Sequence, residues 1–285
     1  MFDTILIPAD ESASARNAAR FGQEIAKCYD ARIDILHVLG NGSRFSNRSQ
    51  TENGNEQGQE ILEEITELAG GDELAIDTHL VEGQSHKYIA RHIDENDIDL
   101  VVMGRRDRSG LGERLLGTVT DRVLRRTNTP VVTVTSENGI SDASEDILLT
   151  TDGSENAERA LPYAVNIARH VDTSLHLLNV VDVQAQAGIF DAGGVTKEFI
   201  ERLESEGQQA VERLARRIND PEITVRSSVT QGTSYTAIDE YVTEHGIDLI
   251  VIASEGKSNL ASQSLGSVTD HVLQTVDIPV LVVVT

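Results

Sequence analysis

Two hydrophobic patterns alternate along the chain. Short, nearly unbroken apolar runs such as TILIP (4–8), RIDILHV (32–38), SLHLLNV (174–180) and DILLT (146–150) suit parallel strands buried on both faces. Between them the apolar positions space out every three to four residues, which predicts amphipathic helices near 13–29, 56–69, 85–96, 154–170, 196–218 and 234–245. ELAIDTHLV (73–81) and ITVRSSV (223–229) alternate apolar with polar and predict edge strands. Fourth strands end at Met103 and Ile252, and a helix and a β-branched strand follow, entered through Pro130 and Pro279. The polar stretches 40–58 and 182–195 have no such period and are expected to be mobile loops.

The pattern occurs twice. DTILIPADES (3–12) matches EDILLTTDGS (145–154) at an offset of 142, with Asp10 on Asp152 and Ser12 on Ser154. IDLVVMG (98–104) matches IDLIVIA (247–253), and LLGTVTDRVLRRTNTPVVTV (115–134) matches SLGSVTDHVLQTVDIPVLVV (264–283), both at an offset of 149. The second copy therefore carries seven extra residues midway. SENGISDASED (136–146) is polar and aperiodic, as a linker should be, and predicts domains at 1–138 and 144–285. Five strands alternating with four helices in each copy predict an α/β fold, a doubly wound, Rossmann-like parallel sheet built twice in tandem.

Composition narrows the function. Forty-seven acidic residues against 24 basic ones give a net charge of −23, shared as −9 and −14 between the halves. Bulk attraction to nucleic acid or to an anionic membrane is excluded by that sign. Only four of the bases are Lys, and an acidic, Lys-poor surface suits concentrated salt, so a halophilic source is expected. No apolar stretch approaches the roughly 20 residues of a membrane span. The start, MFDTILIPADESAS, lacks a positively charged leader, so the expectation is a cytoplasmic protein. A single cysteine, Cys28, rules out an intrachain disulfide and a multi-cysteine metal site.

In a doubly wound sheet, ligands bind beyond the carboxyl ends of the strands, where the strand order reverses. Asp10 and Asp152 follow the first strands. Loops GRRDRSGLGERLLGTVTD (104–121) and ASEGKSNLASQSLGSVTD (253–270) follow the fourth, with Gly117-Thr118 and Gly266-Ser267 where a helix should begin. Free N–H groups at such a helix start favour phosphate, although Ser and Thr there also serve as ordinary caps. The arrangement resembles the universal stress protein family, with its phosphate motif G-x2-G-x9-G-(S/T), and the resemblance covers nearly the whole chain twice. Gly104, Gly117 and Thr118 match in the first copy, where Asp107 replaces the second glycine; Gly256, Gly266 and Ser267 match in the second, where Ala253 replaces the first. Ala253 adds only a methyl and is tolerated unless φ there is positive.

The resemblance implies adenine nucleotide (ATP, ADP or AMP) as the ligand. It places Asp10 and Asp152 near ribose or base, and the backbone of Val38 and Val180 at the adenine edge. The glycine loops, with Val119 and Val268, then wrap ribose and phosphates. Asp107 and Glu255 put carboxylates where phosphates approach, a repulsion that Mg²⁺ could offset. The second copy is slightly favoured as the binding one, because Gly256 admits close approach and Lys257 is adjacent. The arginines at 105–108 read mainly as a solvated loop face, with Arg106 as a candidate phosphate contact. Asp10 also reads as a turn residue for the helix that follows.

The eight histidines show no metal spacing, and His37, at a strand end, has Asn179 as its repeat partner, which argues against an acid–base role. No nucleophile motif is present. Three function classes remain: a nucleotide-binding stress or regulatory protein, with at most slow ATP hydrolysis, that signals to an unidentified protein partner; a dimerising scaffold of the same family that binds no nucleotide; and a ligase or phosphotransferase sharing the architecture. The apolar last strands, VVTVT (131–135) and VLVVVT (280–285), invite edge pairing, and the resemblance implies that they pair within one chain as a pseudo-dimer, with further homodimerisation open.

Overall fold

The computed structural model describes residues 1–40, 48–105, 116–136, 146–187, 196–256 and 265–284. It divides into two compact units, Met1–Ile140 and Ser141–Val283. The linker expected at 136–146 lies almost wholly outside the described residues.

In the first unit, β1 (Thr4–Ala9), β2 (Arg32–Gly40), β3 (Ile76–Gly83), β4 (Leu100–Gly104) and β5 (Val131–Val134) form a parallel sheet in the order β3-β2-β1-β4-β5. Helices α1 (Ala13–Tyr29), α2 (Arg48–Leu68), α3 (Ser85–Glu95) and α4 (Thr118–Leu124) connect them. In the second unit, β6 (Asp146–Thr150), β7 (Leu175–Val181), β8 (Val225–Gln231), β9 (Ile247–Ala253) and β10 (Val280–Val283) repeat the order as β8-β7-β6-β9-β10. Its helices are α5 (Glu155–Glu158), α6 (Leu161–Val171), α7 (Val183–Ala187), α8 (Lys197–Arg217), α9 (Ser234–His245) and α10 (Ser267–Thr275). In each unit the order reverses between the first and fourth strands, which opens a crevice at their carboxyl ends.

The apolar runs go where their pattern sends them. Ile5, Leu6 and Ile7 of β1, Val101 and Val102 of β4, and Leu148 and Leu149 of β6 are fully buried between helix layers. β3 and β8, whose residues are half-buried or exposed, lie at sheet edges. Helix α1 turns its Ala15, Ala18, Ala19, Ile25 and Ala26 face to the sheet. Both first helices start on the same cap: Ser12 Oγ accepts from Ala15 N at 3.1 Å and Ser154 Oγ from Ala157 N at 3.1 Å.

Three expectations change. The helix expected over 154–170 is two helices, because Pro162 has no N–H to continue the ladder; the chain tightens into i→i−3 bonds, Arg159 to Asn156 and Ala160 to Ala157. The loop expected over 40–58 is helical from Arg48, where α2 continues N-terminally from the turns anchored by buried Leu62 and Ile65; residues 41–47 lie outside the described residues. Within 182–195, α7 occupies Val183–Ala187, and 188–195 lie outside the described residues.

Candidate functional site

Both crevices are assembled by hydrogen bonds that recur at repeat-equivalent positions. At the end of β1, Asp10 Oδ1 accepts from Ser12 N at 3.0 Å, and Asp152 Oδ1 accepts from Ser154 N at 2.9 Å. The turn role expected for Asp10 is therefore present, at a residue that also lines the crevice. His37 Nδ1 donates to the carbonyl of Ala9 at 2.8 Å, and Asn179 Nδ2 donates to that of Thr151 at 2.7 Å. Imidazole and amide do the same work: each satisfies a carbonyl at the end of the unit's first strand, that of Ala9, the last residue of β1, or of Thr151, one residue past β6. On this geometry His37→Asn keeps stability within about 1 kcal/mol in urea unfolding, whereas His37→Leu, which strands a buried carbonyl, costs about 1–3 kcal/mol.

The fourth strands are pinned in the same paired way. Thr120 Oγ1 donates to Gly104 O at 3.0 Å and Thr269 Oγ1 to Ala253 O at 2.8 Å. Arg105 N bonds to Val134 O, and Ser254 N to Val283 O, each at 2.8 Å. Ala253 does not adopt a positive φ, so its methyl is tolerated.

The clefts differ in size and lining. The first has a volume of about 500 Å³, and its walls include Asp10, Val38, Gly104, Gly117, Thr118 and Val119. Its floor and sides also include Ser14, Ser85 and Ile89, which sequence reasoning did not single out. The second measures about 120 Å³ and is lined by Asp152, Val180, Ala253, Gly256, Gly266, Ser267 and Val268. There the Asp152 carboxylate sits against Gly256, with Oδ2 2.5 Å from where a Cβ would stand, and Glu255 adds a second acid to the wall. Gly256, expected to admit the close approach of a phosphate, has the Asp152 carboxylate in that space. The candidates Arg106, Asp107, Arg108 and Lys257 lie outside the described residues.

Arg105 departs from the solvated reading of its cluster. Only 1% of it is exposed, and it lines the first cleft, because its backbone continues the β4–β5 ladder and draws the residue inward. Its repeat partner is Ser254, which is also buried but does not line the second cleft, so the guanidinium has no counterpart there. A guanidinium stays charged at any working pH.

Two doubly wound units with crevices at their strand carboxyl ends define an α/β protein of the Rossmann-like class. The model of the universal stress protein family matches residues 1–135 and again 144–284, and the chain belongs to that family as a tandem member. A universal stress protein of Mycolicibacterium smegmatis is 28% identical over 297 residues, covering 98% of this chain and 96% of that one. The universal stress protein MJ0531 of Methanocaldococcus jannaschii is 32% identical over 137 residues, 48% of this chain and 80% of its own length. The crystal structure of a universal stress protein from Archaeoglobus fulgidus superimposes with a TM-score of 0.75 at 20% identity, covering 99% of this chain and 98% of that one, which shows the shared fold. Among the described residues no helix is long and apolar enough to cross a membrane.

Proposed function

We propose that the chain is an adenine-nucleotide-binding stress or regulatory protein and that its first cleft is the principal site. The observation that carries this reading is one cavity of about 500 Å³ gathering Asp10, Val38, Gly104, Gly117, Thr118 and Val119 at the switch point between β1 and β4. Pockets for ligands of nucleotide size run about 300–1,000 Å³, a range that includes the first cleft and leaves out the second. Asp10 binds ribose hydroxyls, the backbone at Val38 meets the adenine edge, and buried Arg105 supplies positive potential to the phosphates of ATP, ADP or AMP, with Mg²⁺ offsetting remaining repulsion. The pairing of the two closing strands within the chain, implied by the family resemblance, belongs to the same proposal, as does cytoplasmic residence.

A second reading, of a family member that scaffolds without nucleotide, is favoured for the second unit by the Asp152–Gly256 contact and its 120 Å³ cleft. Calorimetric titration of MgATP into nucleotide-free full chain in concentrated KCl separates the two. One tight equivalent is expected; Asp10→Ala weakens it about 10–100-fold, the worth of a hydrogen bond to a charged group, and Asp152→Ala leaves it. A flat titration on folded protein, or loss of the tight equivalent in Asp152→Ala instead, overturns the assignment.

A further inference from the structure

Away from the cleft, three side chains from three elements of the first unit converge. Asp34 on β2 is 2% exposed, yet its Oδ1 has no hydrogen-bond partner. Its Oδ2 lies 2.9 Å from His92 Nε2 on α3 and 3.7 Å from His79 Nε2 on β3. The His79 Nε2 atom is itself buried without a hydrogen bond. All three donor atoms lie within 4.8 Å of one another, and the two imidazoles meet edge to face at 4.6 Å. Leaving a buried carboxylate oxygen and an imidazole nitrogen unsatisfied side by side is costly unless something binds between them.

The second copy is an internal control. Its equivalents of Asp34, His79 and His92 are His176, Ser228 and Tyr241. There Tyr241 Oη lies 2.9 Å from His176 Nδ1 and 3.2 Å from Ser228 Oγ, so the three positions satisfy one another. The same scaffold closes this corner with a hydrogen-bond network in one copy and leaves two nitrogens and a carboxylate facing inward in the other.

We propose that Asp34, His79 and His92 bind one divalent transition-metal ion, zinc by its ligand chemistry. Zinc accepts imidazole nitrogen and carboxylate oxygen at about 2.0–2.2 Å, which sets tetrahedral ligands about 3.3 Å apart, so the observed spacings need only small rotamer adjustments. Three protein ligands leave the fourth position to water, and the half-exposed His79 edge provides the way in. Asp34 supplies the carboxylate oxygen of the set, with the positive charge of Arg32 nearby. Arg32 also repels a cation. It is partly neutralised by Asp77 at 3.9 Å and is held by Thr4 Oγ1 at 3.0 Å. Bound metal ties the C-terminal half of α3 to the edge of the sheet.

The test is to strip the full chain with chelator, then titrate it with Zn²⁺ in competition with a chromophoric chelator and with Co²⁺, whose ligand-field absorption reports tetrahedral nitrogen–oxygen ligation. One equivalent is expected, with the tetrahedral Co²⁺ spectrum and a raised thermal midpoint. Loss of a group that merely supports a ligand costs about 10–100-fold in affinity, so His79→Gln and His92→Gln, each losing a ligand, weaken binding at least that much. Exposed His170→Gln does not, and circular dichroism checks that every variant folds. Absence of binding to the stripped wild type, or undiminished binding by both His79→Gln and His92→Gln, overturns the proposal.

Discussion

Gly104→Val is expected to destabilise the first unit by about 3 kcal/mol and to abolish the nucleotide binding proposed for its cleft. A Cβ at residue 104 would stand 2.6 Å from Ser14 Oγ, 2.7 Å from the Ser14 carbonyl carbon and 2.8 Å from Ser14 Cβ. Rotating the Ser14 side chain clears only the hydroxyl, since the backbone carbon is fixed in the first turn of α1. The helix must therefore move off β4, and the residues that move with it, Ser12, Ser14 and Ala15, form one wall of the cleft. The repeat supplies the contrast: position 253 already carries alanine beside the interrupted α5–α6 pair, so Ala253→Gly costs only the usual 0.5–1 kcal/mol of added backbone freedom, roughly. Urea unfolding followed by circular dichroism, with MgATP titration of each variant, checks both halves. Equal costs at the two positions would show that the Ser14 contact does not govern this corner.

That asymmetry marks the limit of what the sequence discloses. The repeat, the order of strands and helices, and the convergence of Asp10, Gly104 and Gly117 on one crevice were legible, because each rests on periodicity or on spacing that survives folding. Which copy has the open cleft was not. That depends on a contact between Asp152 and Gly256, 104 positions apart, and on whether a side chain rotates into the space a glycine leaves. Arg105 misled for a related reason. Four residues with three arginines read as solvated, but the β4–β5 register draws the first of them under the cleft. The Asp34 cluster was missed because residues 34, 79 and 92 share no spacing; the available signal was an acidic residue between the apolar Ile33 and Ile35 of a buried strand.

The two copies thus use one scaffold with different interior chemistry, and in the second a fully buried histidine makes stability depend on pH. His176 is fully buried, with Nε2 3.1 Å from Asp146 Oδ2 and Nδ1 2.9 Å from Tyr241 Oη. The neutral ring fits this setting: Nε2–H donates to the carboxylate and Nδ1 accepts from the phenol. Burial lowers its pKa, Asp146 opposes that, and Arg226 and His245 add to the lowering, so the folded value lies below the ordinary imidazole value of about 6.5. In the window between these two values the unfolded chain binds more protons than the folded one. Stability is therefore fully present above about pH 6.5 and is lost as pH falls toward the folded value.

His86 in the first unit, lowered by burial and by Arg122 and Arg126, contributes with the same sign, so the informative quantity is a difference between proteins. His176→Gln is expected to cost about 2–3 kcal/mol at pH 7.5, because Tyr241 and Asp146 lose a buried partner, and to flatten the decline between pH 7 and 5 relative to wild type. Urea midpoints at matched salt across that range measure both effects. An equally steep decline in the variant would assign the acid sensitivity to other groups and leave His176 only a packing role.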